Sequence, residues 1–114
     1  MNAPVVQPLS TDVSVAPQLD PAAMAWAAQA GFKSVINNRP DFEAGPDQPT
    51  SAAMAAAAQA AGLRYAHLPV APAVQTPAEI AQFAALLAAL PRPILAFCRS
   101  GARSGKLYQA ATGG

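Results

Sequence analysis

One cysteine and one histidine stand among 114 residues, and each scarcity removes a class of chemistry. A lone cysteine, Cys98, cannot form an internal disulfide, and it suits a reducing compartment. A lone histidine, His67, leaves no metal-ligand spacing, so no metal and no cofactor are expected. Charged residues make up 11% of the chain and the formal net charge is +1. That field is too weak for nucleic-acid binding, which needs clustered Lys and Arg. No basic residue precedes Lys33, so the start lacks the charged region of a secretory signal. The longest apolar stretch, Ile80 to Leu90, is broken by Gln82 and is too short to cross a bilayer, so no membrane partner is expected. Together these absences make a cytoplasmic protein the expectation. Oligomeric state is not legible.

What is present is enough for one core. Apolar residues are 53% of the chain, many of them alanine, which predicts close and thin packing. Residues 1–10 carry Pro4 and Pro8 and read as a loose start; residues 11–114 read as a single domain. Strand and helix signals then alternate. Val13–Ala16 is a short strand candidate. Asp20-Pro21 begins a helix that runs through Trp26 to Ala30 and stops at Gly31. Phe32–Asn37 reads as a buried strand and Asn38–Pro49 as a loop. A helix follows from Thr50 to Ala61, ended by Gly62, then a strand over Arg64–Leu68. Thr76-Pro77-Ala78-Glu79 is a capping box, and Ile80, Phe83, Leu86, Leu87 and Leu90 share one face of the helix behind it. Ile94–Phe97 is apolar throughout and fits a central strand covered on both sides. A last helix is expected from about Arg103 to Thr112. Alternation of this kind predicts an α/β fold: a mostly parallel sheet of four to five strands flanked by helices.

Cys98 falls right after that central strand and before the last helix, at the carboxyl edge of the sheet, where open α/β sheets bind ligands. The loop reads Cys98-Arg99-Ser100-Gly101-Ala102-Arg103-Ser104. Its backbone N–H groups and the positive helix end would converge on one point, and Arg103 adds a bidentate fork. Such a pocket lowers a thiol pKa and holds an anion. Gly101 supplies backbone freedom, and the Ser104 hydroxyl is placed to donate to the sulfur. Cys98 and Arg103 are the expected catalytic pair, with Arg99, Ser100, Gly101, Ala102 and Ser104 as the anion-binding loop. The competing account is a small buried hydrophobe. A nucleotide-binding P-loop is excluded, because Leu107 stands where Ser or Thr should hold magnesium.

Three blocks carry a resemblance: Ser34-Val35-Ile36-Asn37-Asn38-Arg39-Pro40-Asp41, His67-Leu68-Pro69-Val70 and the cysteine loop. With them the chain resembles the phosphatase-like domain of beta-lactamase hydrolase-like proteins, a bacterial relative of protein tyrosine and dual-specificity phosphatases. The resemblance implies a protein-tyrosine-phosphatase-like fold, Cys98 as nucleophile and Arg103 as anion ligand. Members occur alone or joined to sulfur-metabolising domains. The chain departs from the tyrosine-phosphatase pattern at three points. Four residues separate Cys98 from Arg103, a shorter gap that looks like the persulfide-carrying loop of rhodanese sulfurtransferases. Phe97 stands where phosphatases carry histidine. Leu68 to Thr76, where a general acid would be sought, holds no Asp or Glu.

Three further residues are accessory candidates. Arg39 follows a strand on the same edge and reaches the anion or pairs with Asp41 or Glu43. Asp41 is the substitute acid if its loop folds over the site, and His67 is an acid, a base or a structural hydrogen-bonder. Glu79 is explained by capping, and Trp26 and Tyr108 by packing. The expected substrate is a small anion, a phosphoester or a sulfane sulfur donor. Three readings remain open at this level: a phosphatase-like hydrolase, a rhodanese-type sulfurtransferase, and a non-catalytic anion-binding module.

Overall fold

Glycines in the left-handed region set the helix ends. Gly31 and Gly62 take φ of 102° and 82° right behind the first two helices, a conformation that side chains resist. The computed structural model describes residues 4–113. Its elements run β1 (Gln7–Pro8), β2 (Val13–Ala16), α1 (Ala23–Gln29), β3 (Ser34–Asn37), α2 (Ser51–Ala60), β4 (Arg64–His67), α3 (Pro77–Ala89), β5 (Ile94–Phe97) and α4 (Ala102–Thr112). The α/β architecture is as expected, and boundaries shift by one to three residues.

Two elements differ in an instructive way. Gln7–Pro8, within the stretch read as loose, pairs antiparallel with β2 and forms the sheet edge. Proline suits an edge, where its missing N–H costs no ladder bond. Residues 1–3 of that stretch lie outside the described residues. Helix α1 begins at Ala23 rather than at Pro21, yet the Asp20 carboxylate still accepts from the Ala23 N–H at 2.9 Å. At α3 both halves of the capping box are present: Glu79 N–H donates to Thr76 Oγ1 at 3.1 Å, and Thr76 N–H to Glu79 Oε1 at 2.8 Å.

The sheet order is β1-β2-β5-β3-β4, parallel except for β1. From β2 the chain steps outward through α1, β3 and α2 to β4, then returns through α3 to insert β5 between β2 and β3. Right-handed crossovers running in opposite directions place their helices on opposite faces. The core divides accordingly. Leu95 and Phe97 join Met24, Ala27, Met54 and Ala58 on the α1–α2 side, while Ile94 and Ala96 join Phe83, Leu87 and Leu107 on the α3–α4 side. All four residues of β5 are fully buried, as a central strand requires. Trp26 and Tyr108 pack against these two cores as expected. Among the described residues no helix is long and apolar enough to cross a membrane.

This topology puts the loops after β2, β3, β4 and β5 along one edge. The reversal between β5 and β3 is the switch point at which α/β sheets open a crevice.

Candidate active site

The loop after β5 is shaped by one glycine. Gly101 is the N-cap of α4 with φ of 94°, and a Cβ there would lie 3.5 Å from the Ala16 carbonyl. The conformation, more than the space, therefore demands glycine. It turns the backbone N–H groups inward, and Gly101 N–H donates to Cys98 Sγ at 3.1 Å. The Cys98 side chain is fully buried, and burial pushes its thiol pKa up. Donation from the backbone N–H groups of Ser104, Ser100, Gly101 and Arg103 outweighs burial and holds the pKa below its ordinary value.

The Ser104 hydroxyl departs from expectation. It donates to Asn38 Oδ1 at 2.8 Å rather than to the sulfur, and the Asn38 amide in turn donates to the Leu68 carbonyl. Both side chains are completely buried, so the hydroxyl ties α4 to the loops after β3 and β4. Only the Ser104 backbone serves the thiol.

Above the loop lies a cavity of about 540 Å³ lined by Arg39, Glu43, Ala44, Pro72, Arg99, Ser100, Ala102 and Arg103. Arg103 is oriented by the Val70 carbonyl at 3.2 Å and grips Glu43 with two nitrogens, at 2.7 and 2.9 Å. Arg39 donates to the same carboxylate at 2.8 Å and to Gln18 Oε1 at 3.1 Å. Both guanidiniums are buried, with side chains 7–8% exposed, whereas the Glu43 side chain is 23% exposed. Arg103 is the main reason that the Glu43 pKa falls from 4.5 to about 2, with Arg39 contributing and partial burial opposing. Glu43 likewise raises the pKa of Arg103.

Of the accessory candidates, Arg39 alone reaches the cavity. Asp41 does not: its carboxylate accepts the Ser51 N–H at 2.7 Å, at the start of α2, where a negative charge is favoured. His67 also lies outside the cavity lining; its Nε2 bonds the Arg39 carbonyl at 2.9 Å and so fixes the backbone that carries Arg39. Arg99, Ser100 and Ala102 line the cavity. From sequence alone, Glu43 stands out only as a surface partner of Arg39. The available signal was its position four residues after Arg39, in a loop leaving a parallel strand at the carboxyl edge.

The loop bearing Glu43 is braced. Gln48 accepts from the Ala44 N–H at 2.9 Å and donates to the Pro40 carbonyl at 2.8 Å, while Asp41 is held by Ser51. Between the braces Phe42 takes φ of 61°, a costly conformation for an aromatic residue. Such strain persists only where the surroundings impose it. Phe42 is itself 64% exposed.

The chain is similar to several known proteins. The chain is 42% identical over 78 residues to a beta-lactamase hydrolase-like protein of Agrobacterium fabrum, and 42% identical over 81 residues to one of Xylella fastidiosa. These matches cover 68% and 71% of the chain but only 18% and 19% of the relatives. Among solved structures, a phosphatase candidate from Neisseria meningitidis superimposes with a TM-score of 0.78 at 31% identity, over 90% of this chain and 72% of that one. Pseudomonas aeruginosa TpbA, solved with phosphotyrosine, shares the fold at a TM-score of 0.67 and 18% identity, over 96% of this chain and 64% of that one. The model for the phosphatase-like domain of beta-lactamase hydrolase-like proteins matches residues 6–114, nearly the whole chain. The chain belongs to that phosphatase-like family.

Proposed function

We propose that the domain is a cysteine-dependent phosphomonoester hydrolase with Cys98 as nucleophile and Arg103 as the anion clamp. The observation that carries this reading is the lowered thiol pKa under four backbone N–H groups, beside a cavity wide enough for a tetrahedral anion. A small phosphomonoester as substrate is supported by the structural neighbour TpbA, which was solved with phosphotyrosine. In the first step Cys98 Sγ attacks phosphorus, the P–O bond to the leaving group breaks, and the leaving oxygen takes the electron pair. Loop N–H groups and Arg103 hold the equatorial oxygens as charge builds on them. In the second step water attacks the phosphocysteine, the S–P bond breaks, and thiolate and phosphate are released.

Proton supply shapes the substrate range. Glu43 is the carboxylate in the cavity lining, and with a pKa of about 2 it is ionised and cannot donate in the resting state. Loss of a general acid costs on the order of 100- to 10,000-fold with poor leaving groups. The reading therefore favours activated esters such as aryl phosphates, whose leaving oxygen needs little help. A reducing compartment keeps a lone nucleophilic thiol in its active form, which supports a cytoplasmic location for the domain.

A second reading rests on one observation, the four-residue gap from Cys98 to Arg103. In that reading Cys98 attacks the sulfane sulfur of thiosulfate, sulfite leaves with the electron pair, and a persulfide remains. One experiment separates the two. Wild type and Cys98→Ser are assayed with an aryl phosphate, and intact mass is recorded after thiosulfate. Turnover lost by at least ~1000-fold in Cys98→Ser is expected. Equal turnover in both proteins would sink the hydrolase. A one-sulfur adduct without turnover would install the sulfurtransferase.

A further inference from the structure

The two guanidiniums that a substrate anion would need are already occupied, and their occupant is a carboxylate of the same chain. Arg103 gives two nitrogens to Glu43, and Arg39 gives a third contact to Oε1. We propose that Glu43 is an internal stand-in for the substrate anion, which a ligand must displace before the two arginines can hold it.

Burial supports the assignment. Arg39 and Arg103 are the covered members of the cluster, while Glu43 is the one that water reaches. Removal of the carboxylate leaves two buried cations facing the cavity, and a buried unpaired charge is strongly unfavourable. An anion arriving from solvent removes that cost. Arg103 does not depend on Glu43 for its direction, because the Val70 carbonyl also holds it.

The exchange needs little backbone movement. Residues 40–48 are pinned by Gln48 and by the Asp41–Ser51 bond, so Glu43 leaves by side-chain rotation into the water it already touches. Charge decides which ligands succeed. A monoanion that replaces one carboxylate charge leaves the Coulomb balance of the two arginines unchanged, whereas a dianion adds a second unit of attraction. The two arginines therefore favour a dianion such as a phosphomonoester over a monoanion, on top of a displacement cost that both ligands meet. The substrate class rests on the phosphatase reading; the occupancy of the site by Glu43 does not.

The test is anion binding by calorimetry on the full chain carrying Cys98→Ser, with and without Glu43→Gln, so that no turnover is needed. Inorganic phosphate at pH 8 serves as dianion and dimethyl phosphate as monoanion. The glutamine variant is expected to bind phosphate at least ~10-fold more tightly, about 1.4 kcal/mol, and to bind dimethyl phosphate more tightly as well, because the cost of displacing Glu43 is common to both ligands. Glu43→Asp, too short to span both arginines, is expected to fall between the two. Unchanged or weaker phosphate binding in both variants would overturn the proposal and make Glu43 a holder of Arg103. Tighter binding with no hydrolysis by the wild type would leave the occupancy intact and sink the phosphatase reading alone.

Discussion

The loops after β5 and after β3 leave adjacent strands at the same edge of the sheet, and both end up facing one cavity. They are built by opposite means. The loop over residues 98–104 works through its backbone: its N–H groups converge on a sulfur only a few residues away. The loop over residues 38–49 works through side chains, with Arg39 and Glu43 carried to Arg103, a partner 60 residues distant from Glu43 in sequence. A backbone cradle tolerates side-chain change but not loss of its turn. A side-chain clamp tolerates backbone substitution but not loss of charge.

That contrast can be broken most forcefully at the residue that joins the two loops. Arg103→Ala is expected to lower kcat/KM for an aryl phosphate by about 100- to 1000-fold, since the clamp on developing charge is lost. Arg103→Lys should recover little, because an ammonium cannot reproduce the two-nitrogen grip. A loss under tenfold in Arg103→Ala would mean that the backbone cradle suffices alone.

Next in size is Gly101→Ala. The left-handed conformation at φ of 94° is expected to cost about 1–2 kcal/mol in chemical denaturation. The cradle should loosen with it, so the Cys98 pKa, followed by thiolate absorbance, should rise toward the ordinary thiol value. A stable variant with an unshifted thiol would show that side chains rather than backbone tune the cysteine.

Acid sharpens the other half of the comparison. The folded pKa of Glu43 lies near 2, below the ordinary 4.5, so between these values the unfolded chain binds more protons. The pair's contribution is therefore complete above about pH 4.5 and disappears as pH falls toward 2. Water reaches the carboxylate, which limits the effect to about 1 kcal/mol. Thermal melts from pH 5 to pH 2.5 should fall more steeply for wild type than for Glu43→Gln. Parallel curves would place the stabilisation elsewhere.

The smallest effect is expected at the neighbouring carboxylate. Asp41→Asn keeps an oxygen for the Ser51 N–H and lies outside the cavity, so turnover and its pH profile should stay within about twofold of wild type. A large loss of turnover together with loss of the alkaline limb of the profile would restore Asp41 as a proton donor.

Much of the fold was legible because its signals are local. Gly31, Gly62, the Thr76–Glu79 box and the apolar run Ile94–Phe97 act within a few residues of themselves, and each element formed where its signal stood. The edge strand Gln7–Pro8 was not legible, since a two-residue strand exists only through its pairing with β2. The Ser104 hydroxyl was misplaced for a related reason. Its nearest candidate by sequence is the sulfur, yet packing presents it with Asn38, which is 66 residues away.

The same division runs through the site. The sequence by itself determined the cradle: strand, cysteine, glycine turn and helix start follow one another within seven residues, so their geometry is dictated by chain connectivity and by φ at Gly101. Only the tertiary structure decided what fills the clamp. Arg39, Asp41, Glu43 and His67 are equally plausible charged or polar neighbours on paper. The strand order β5-β3-β4 brings two of them to Arg103 and turns the other two toward α2 and the loop backbone. An ion pair across a sheet edge depends on register and crossover direction, and those are properties of the assembled sheet rather than of any one segment.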